Sequence, residues 1–214
     1  MRCLLISGSP EYDIPFIKEQ HIKGDFVVCA DVGWDYCLKA GIIPDLVVGD
    51  FDSCAEVEEF ASVLSGSKTK VMRLNPVKDD TDTLSCIKEA QKAGCDEFLI
   101  LNALGGRLDH EFSNISLLYL LEKNNIHGEI RSQEASVRVI IDSSFTFKSL
   151  TGKIFSVFPF ACDSVDITYL GSVAYPLDNY HMTSDFPIGV SNVFLEDSVT
   201  VKAKNGCALV IVNM

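Results

Sequence analysis

Carboxylates follow a buried run at "VVGDFDS", residues 47–53, where Gly49 leads into Asp50 and Asp52. A second acidic run, "DDTD" at 79–82, ends at Asp82. Neighbouring carboxylates repel one another, and a dication between them relieves the repulsion. Magnesium prefers carboxylate, phosphate and water oxygens as ligands. We therefore predict that Asp50, Asp52 and Asp82 hold a metal ion and act in catalysis.

An arginine stands beside two glycines in "GGRLDH", residues 105–110. The amides at a helix N-terminus attract phosphate, and a guanidinium adds a forked pair of donors. We expect Arg107 to bind phosphate, with His110 and Asn114 on the same helix face. His110 has two possible roles, general base or orientation and phosphate contact, and we favour the second.

The elements that position these residues alternate along the first 125 or so residues. Short apolar runs lie at 3–7, 26–30, 45–49, 70–74 and 97–103, and a helix-like segment follows each run from 26–30 onward. Continuous apolar strands joined by helices indicate a mainly parallel sheet covered on both faces. Ligands bind at the carboxyl ends of such strands, so we also expect a substrate or nucleotide contact from Asp31.

The second half of the chain has a different pattern. Short segments rich in Thr, Val, Phe and Ser alternate, with breaks such as "LTGK" and "KNGC" and no convincing helix. This pattern is typical of an antiparallel β-sandwich. We predict an α/β domain over residues 1–127 and an all-β domain over residues 128–214.

Composition excludes some partners. The net charge is −12, which argues against nucleic acid or an anionic membrane, since phosphate surfaces attract Lys and Arg. The eight cysteines contain no C-x-x-C pair, and several lie in apolar runs where a free thiol packs as a small hydrophobe. No apolar run approaches the roughly 20 residues of a membrane span. We expect a reduced, cytoplasmic protein.

Structural explanations compete with the functional ones. Ser53 and Glu56 fit a capping box, and Asp82 fits the N-cap of the helix that follows it. A tight strand-to-helix turn is by itself a sufficient explanation for Gly105 and Gly106. Arg107 can form a surface ion pair. For the three aspartates together we favour the metal, because a cap needs one carboxylate and a metal needs several.

Taken in order, "CADVGWDYCLKAGIIPDLVVGDFDS", "KDDTDT" and "LGGRLDHEFSNISLL" resemble the thiamine pyrophosphokinase (thiamine diphosphokinase) family. "GVSN" at 189–192 is similar to the family's G-x-S-N segment, so the resemblance spans almost the whole chain. It implies an ATP-binding α/β domain and a thiamine-binding β-sandwich. It also implies transfer of the β,γ-diphosphate of ATP to thiamine, a Mg²⁺ requirement, and a homodimer with active sites at the interface.

The resemblance also implies roles for three further residues. Asp109 is an acidic site position, which either holds metal or orients the attacking hydroxyl. Ser191 and Asn192 are expected to bind the aminopyrimidine ring of thiamine, and the alternative for this pair is a β-turn with local backbone hydrogen bonds.

The chain departs from the family pattern at two places. Val32 stands where the family has a permissive glycine, and Trp34 stands where it has a small residue. We expect Trp34 to face the core. The C-terminal "ALVIVNM" has no aromatic residue to stack on thiamine. Another side chain then provides that platform, or the pocket takes a different heterocycle.

Three other functions compete with this one. A related enzyme would diphosphorylate a hydroxymethyl pterin. A sensor would bind ATP and metal without turnover, although the retained acidic and arginine set favours turnover. A D-x-D phosphatase loop is disfavoured, because Cys54 occupies its threonine position.

Overall fold

The computed structural model describes residues 1–50, 66–75 and 80–214, which form two compact units. The first is Met1–Leu117 with Ile130–Ser132, and the second is Leu118–Glu129 with Gln133–Met214. The boundary predicted after residue 127 lies inside a strand, His127–Arg131, and stays a prediction. Asp52, Ser53 and Asp79 lie outside the described residues, as does the helix predicted to follow Ser53.

Strands and helices alternate in the first unit, as the apolar runs predict. Its elements are β1 (Arg2–Ile6), α1 (Ile14–Gln20), β2 (Phe26–Ala30), α2 (Gly33–Lys39), β3 (Leu46–Gly49), β4 (Lys70–Arg73), α3 (Asp82–Lys92) and β5 (Glu97–Leu101). Helix α4 (Leu108–Lys123) begins in this unit, and β6 (His127–Arg131) ends in it.

Five strands of the first unit form a sheet in the order β5-β1-β2-β3-β4. All four neighbouring pairs are parallel. All four residues of β3 are buried, as are the last four of β1, β2 and β5. Continuous apolar strands are expected where a parallel sheet is buried on both faces, and the predicted α/β class is confirmed.

Helices α1 and α2 pack on the face of this sheet that carries Leu4 and Ile6. Trp34 of α2 belongs to that core and is 7% exposed, so its predicted core position is confirmed. Helix α3 contacts β1, β2 and β3 through a separate buried set that includes Cys86 and Ile87.

Thr81, and not Asp82, is the N-cap of α3. The Thr81 hydroxyl accepts a hydrogen bond from the Leu84 N–H at 3.2 Å, and Asp82 is the first residue of the helix. The alternative that made Asp82 a cap is therefore wrong by one position. The Asp82 carboxylate therefore does not cap α3, and capping no longer competes with a functional role for this residue.

The second unit is built from strands. These are β7 (Ala135–Ile141), β8 (Ser144–Lys148), β9 (Ile154–Pro159), β10 (Ser164–Leu170), β11 (Tyr180–Thr183), β12 (Asn192–Val193), β13 (Ser198–Lys204) and β14 (Cys207–Asn213). Strands β12-β9-β14-β7 and β11-β10-β13-β8 form two antiparallel layers. Side chains of both layers, such as Val157 and Val201, share one core, and the predicted antiparallel β-sandwich is confirmed.

Cysteines contribute to the core of both units. Seven are free thiols within the described residues, and six of the seven are buried. This matches the prediction that they pack as small hydrophobes. Within the same residues, every helix is too short or too polar to cross a membrane.

Candidate functional site

A cavity of about 730 Å³ lies at the carboxyl edge of the parallel sheet, within the first unit. It is bounded by the residues that follow β1, β2 and β5 and by the first turns of α3 and α4. The lining consists of Ser7, Gly8, Ser9, Pro10, Ala30, Asp31, Asp80, Thr81, Asp82, Thr83, Asn102, Ala103, Gly105, Gly106, Arg107, Asp109, His110, Ser113 and Asn114. This is the edge at which parallel α/β sheets bind ligands.

Six predicted site residues meet in this cavity: Asp31, Asp82, Arg107, Asp109, His110 and Asn114. Asp50 follows β3 directly and is half-buried, but the described part of the lining does not include it. Asp52, the third predicted metal ligand, lies outside the described residues. The structure thus brings together residues from three separate strand ends.

Arg107 and Asp109 form a two-point ion pair at the start of α4. Arg107 Nε donates to Asp109 Oδ1 at 3.1 Å, and Nη2 donates to Oδ2 at 2.6 Å. The hydrogen bonds from the guanidinium hold the pKa of Asp109 below its ordinary value. Both side chains are exposed, at 73% and 64%, so both are accessible to a ligand in the cavity.

Two glycines make the turn into α4. Gly105 and Gly106 have φ values of 84° and 92°, a left-handed conformation that favours glycine. A Cβ on Gly105 would lie 2.6 Å from Glu11 Oε2, and one on Gly106 would lie 2.9 Å from Pro10 Cδ. The predicted tight turn is present, and it presents Arg107 to the cavity.

The loop after β1, residues 7–10, is a part of the lining that the sequence interpretation missed. The hydroxyls of Ser7 and Thr83 lie 3.2 Å apart, which links this loop to the first turn of α3. Ser9 Oγ donates to the Gly105 carbonyl at 2.8 Å, which links it to the α4 turn. "SGSP" follows the carboxyl end of a strand, as Asp31 does. The rule that ligands bind at the carboxyl ends of parallel strands could therefore have found this loop.

Asp31 takes a left-handed φ of 47°, and its N–H donates to the Val48 carbonyl at 2.9 Å. Val32 itself is in the ordinary right-handed helical region, so this chain needs no glycine at that position. A Cβ on Gly49 would lie 3.1 Å from the Asp31 Cα. The ends of β2 and β3, and hence Asp31 and Asp50, are held side by side.

The donor set of the cavity is acidic. Four carboxylates line it: Asp31, Asp80, Asp82 and Asp109. Within residues 1–50, 66–75 and 80–214, no three His, Cys, Asp or Glu side chains form a ready metal site. Magnesium usually takes one or two protein carboxylates and completes its shell with phosphate oxygens and waters, which fits this donor set.

Asn114 has a supporting contact. Its side chain is buried, and Nδ2 donates to the Ala103 carbonyl at 2.9 Å, which ties α4 to the residues after β5. His110 is exposed at the cavity, and its backbone N–H donates to Asp109 Oδ1 at 3.0 Å.

Ser191 and Asn192 lie in the second unit. The amide of Asn192 accepts from the Tyr175 N–H at 3.0 Å and donates to the Tyr175 carbonyl at 2.8 Å. Its Oδ1 also accepts from the Val193 N–H. Ser191 has a left-handed φ of 61°, and its N–H donates to Ser156 Oγ. Asn192 therefore makes the local backbone bonds that were the alternative to ring binding.

The fold and the cavity define a two-part chain, an α/β unit with a charged cavity at its carboxyl edge and an antiparallel β-sandwich. The family model for "Thiamin pyrophosphokinase, catalytic domain" matches residues 18–130. The model for "Thiamin pyrophosphokinase, vitamin B1 binding domain" matches residues 138–208. The chain belongs to the thiamine pyrophosphokinase family.

Individual relatives agree with these matches. Thiamine pyrophosphokinase of Bacillus subtilis (strain 168) is 28% identical over 208 residues, which cover 97% of this chain and 96% of the relative. Thiamine pyrophosphokinase 1 of Oryza sativa subsp. japonica is 30% identical over 169 residues, which cover 74% of this chain and 62% of the relative. The crystal structure of the Bacillus subtilis thiamine pyrophosphokinase superposes with a TM-score of 0.89 at 26% identity, covering 100% of this chain and 99% of that one.

Proposed function

We propose that this protein is a thiamine diphosphokinase that uses ATP and Mg²⁺. It transfers the β,γ-diphosphate of ATP to the hydroxyethyl oxygen of thiamine, and the products are thiamine diphosphate and AMP. The observation that carries the proposal is the shared cavity, in which Arg107 and the carboxylates of Asp82 and Asp109 meet at the carboxyl edge of the sheet. Membership of the thiamine pyrophosphokinase family supports the same reaction.

In this reaction the protein mainly positions the two substrates and neutralises the negative charge of the transferred phosphates. The thiamine hydroxyl oxygen forms a bond to the β-phosphorus, and the bond from that phosphorus to the oxygen bridging the α-phosphate breaks. AMP leaves with the bridging oxygen, and the hydroxyl proton passes to water or to a nearby carboxylate. Arg107 binds phosphate oxygens of the transferred group with its forked donors.

Asp50, Asp52 and Asp82 are the proposed magnesium ligands. Bound Mg²⁺ neutralises the triphosphate and polarises the phosphoryl oxygens. Asp82 lines the cavity. Asp50 follows β3, and Asp31 follows β2, the strand that pairs with β3. Asp109 orients the attacking hydroxyl or supplements the metal set.

The remaining predicted residues complete the proposal. Asp31, His110 and Asn114 contact the nucleotide or orient it, while Ser191 and Asn192 belong to the thiamine-binding part of the protein. The proposed enzyme is a homodimer with active sites at the subunit interface, as the family resemblance implies, and its free cysteines favour a cytoplasmic location.

The test is AMP formation from ATP in the presence and absence of thiamine and Mg²⁺. We expect turnover only when both are supplied, and a loss of at least about 100-fold for Asp82→Asn and Asp52→Asn, since oriented charge contributes kcal/mol-scale stabilisation to such transition states. Asp35→Asn is the matched control, because it removes a carboxylate that pairs with Lys39 at 2.6 Å outside the cavity.

A hydroxymethyl pterin in place of thiamine tests the choice of heterocycle. AMP release with the pterin and not with thiamine would reassign the substrate. ATP binding without AMP release under any of these conditions would indicate a sensor and overturn the proposal.

A further inference from the structure

Asn102 follows β5 directly, in a backbone conformation that few side chains accept. Its φ is 54°, in the left-handed region, where asparagine is one of the better tolerated residues. Its carbonyl accepts from the Ser9 N–H at 3.0 Å, and the Leu101 carbonyl accepts from the Ser7 N–H at 2.9 Å. The backbone of Asn102 is therefore fixed against the loop that follows β1.

Asn102 is one of the residues that line the cavity, and it is 9% exposed. Its amide nitrogen is buried and has no hydrogen-bond acceptor among the residues that the structure describes. Asn114 lines the same cavity, and its amide nitrogen bonds the Ala103 carbonyl at 2.9 Å. Buried donors are nearly always satisfied, so an unsatisfied one in a cavity points to a partner that the ligand brings.

We propose that Asn102 is a nucleotide-binding residue whose Nδ2 donates to a phosphate oxygen of ATP. This inference rests on the proposed function and adds a contact that the sequence motifs do not contain. Arg107, which the α4 turn at Gly105 and Gly106 carries into the same cavity, favours an anionic acceptor, and the proposed Mg²⁺ offsets the carboxylates of the lining. The free N–H groups at the N-terminus of α4 add partial positive charge, which also favours an anion.

Asn102→Gly removes the amide and keeps the left-handed backbone, which glycine adopts freely. Asn125→Gly is the matched control, because Asn125 has a φ of 57° and an exposed side chain outside the cavity. Dissociation constants are measured by calorimetry, without thiamine, for a non-hydrolysable ATP analogue with Mg²⁺ and for inorganic tripolyphosphate with Mg²⁺. Thermal melting confirms that each variant is folded.

We expect Asn102→Gly to weaken both ligands by about tenfold or more, as for a lost hydrogen bond to a charged group, and Asn125→Gly to leave both unchanged. Asn102→Asp, which also tolerates the backbone but removes the donor and adds a carboxylate, should weaken both further. These results together support the phosphate contact.

Two results would overturn the proposal. Unchanged affinity in a folded Asn102→Gly protein means that the amide is not used by the ligand. Weaker binding of the ATP analogue alone means that the amide contacts the nucleoside and that the phosphate assignment is wrong. A wild-type protein that binds the analogue but forms no AMP with thiamine would refute the proposed reaction and leave the Asn102 test intact.

Discussion

Arg107 and Asp109 neutralise each other across two hydrogen bonds of 3.1 and 2.6 Å at the mouth of the cavity. The same arginine is the predicted phosphate ligand, so an incoming phosphate competes with Asp109 for the guanidinium. Phosphate binding by Arg107 then also releases the Asp109 carboxylate for other contacts. The proposed roles of the two residues are therefore linked through this competition.

Asp109→Asn should therefore tighten the binding of inorganic tripolyphosphate in the absence of Mg²⁺. An exposed ion pair contributes little net free energy, so we expect a modest gain of about two- to fivefold by calorimetry. Turnover should fall in the same variant, because Asp109 is proposed to act in the reaction. Glu111→Gln is the control for net charge, since Glu111 also lies in the first turn of α4 but does not take part in the two-point pair. An equal gain in both variants would mean that the ion pair is irrelevant.

Arg107→Lys should weaken tripolyphosphate binding by about tenfold. A lysine keeps the charge but cannot donate from two nitrogens in a planar fork. Arg131→Lys is a suitable comparison, because Arg131 bonds Gln20 at 3.1 Å and is outside the cavity lining. Equal affinity of Arg107→Lys and the wild type would show that charge alone matters at this position.

Asp25 should stabilise the first unit at neutral pH and lose that effect in acid. Arg2 Nε and Nη2 donate to its two oxygens at 2.8 and 2.7 Å, and its side chain is only 1% exposed. Burial alone raises the pKa of Asp25, but hydrogen bonds from Arg2 and the Ile22 N–H outweigh it, so the net shift is downward. A carboxyl group with a lowered pKa stabilises the fold above its ordinary pKa of about 3.9, and this stabilisation disappears as the pH falls through the lower folded value.

Urea unfolding of Asp25→Asn tests this directly. We expect a loss of about 3 kcal/mol at pH 7, as for a broken buried ion pair, and a smaller loss near pH 3. Asp35→Asn, at a more exposed pair with Lys39, should cause a much smaller loss at both pH values. A loss for Asp25→Asn that did not change with pH would contradict the role of its charge.

Gly33→Ala should destabilise the first unit by about 3 kcal/mol, because the new methyl group overpacks a fixed backbone. A Cβ at Gly33 would lie 2.3 Å from the Ile6 carbonyl oxygen. At Gly8 the nearest atom to a new Cβ is a Val32 methyl at 3.2 Å, which can move. Thermal unfolding of Gly33→Ala and Gly8→Ala compares the two. Similar melting temperatures for both variants would mean that β1 and α2 can separate without cost.

The sequence predicted the long apolar strands well, because burial on both faces leaves a continuous run of apolar residues. Phe26–Ala30 matches the predicted run at both ends. Two short elements were missed. Helix α1 has seven residues and one buried side chain, Ile17, and β12 has two residues that pair with β9. Such elements depend on contacts distant in sequence rather than on a local pattern.

In the site, too, local sequence patterns were predictable, and features that depend on distant contacts were not. The strand-end rule grouped Asp31, Asp82 and Arg107 correctly in one cavity. Asn102 was missed because its identity alone is ordinary. Only the packing around it shows that its amide nitrogen is buried without an acceptor in the described structure. The partners of the Asn192 amide likewise depend on Tyr175, 17 residues earlier in the chain.

Gly105 lies directly against Glu11, and Gly106 lies directly against Pro10. The residue types tolerated in the loop after β1 and in the turn before α4 therefore depend on each other. A relative with a side chain at position 106 is expected to carry a smaller residue at position 10. In alignments of the family, the two sites should therefore vary together, although 96 residues separate them along the chain.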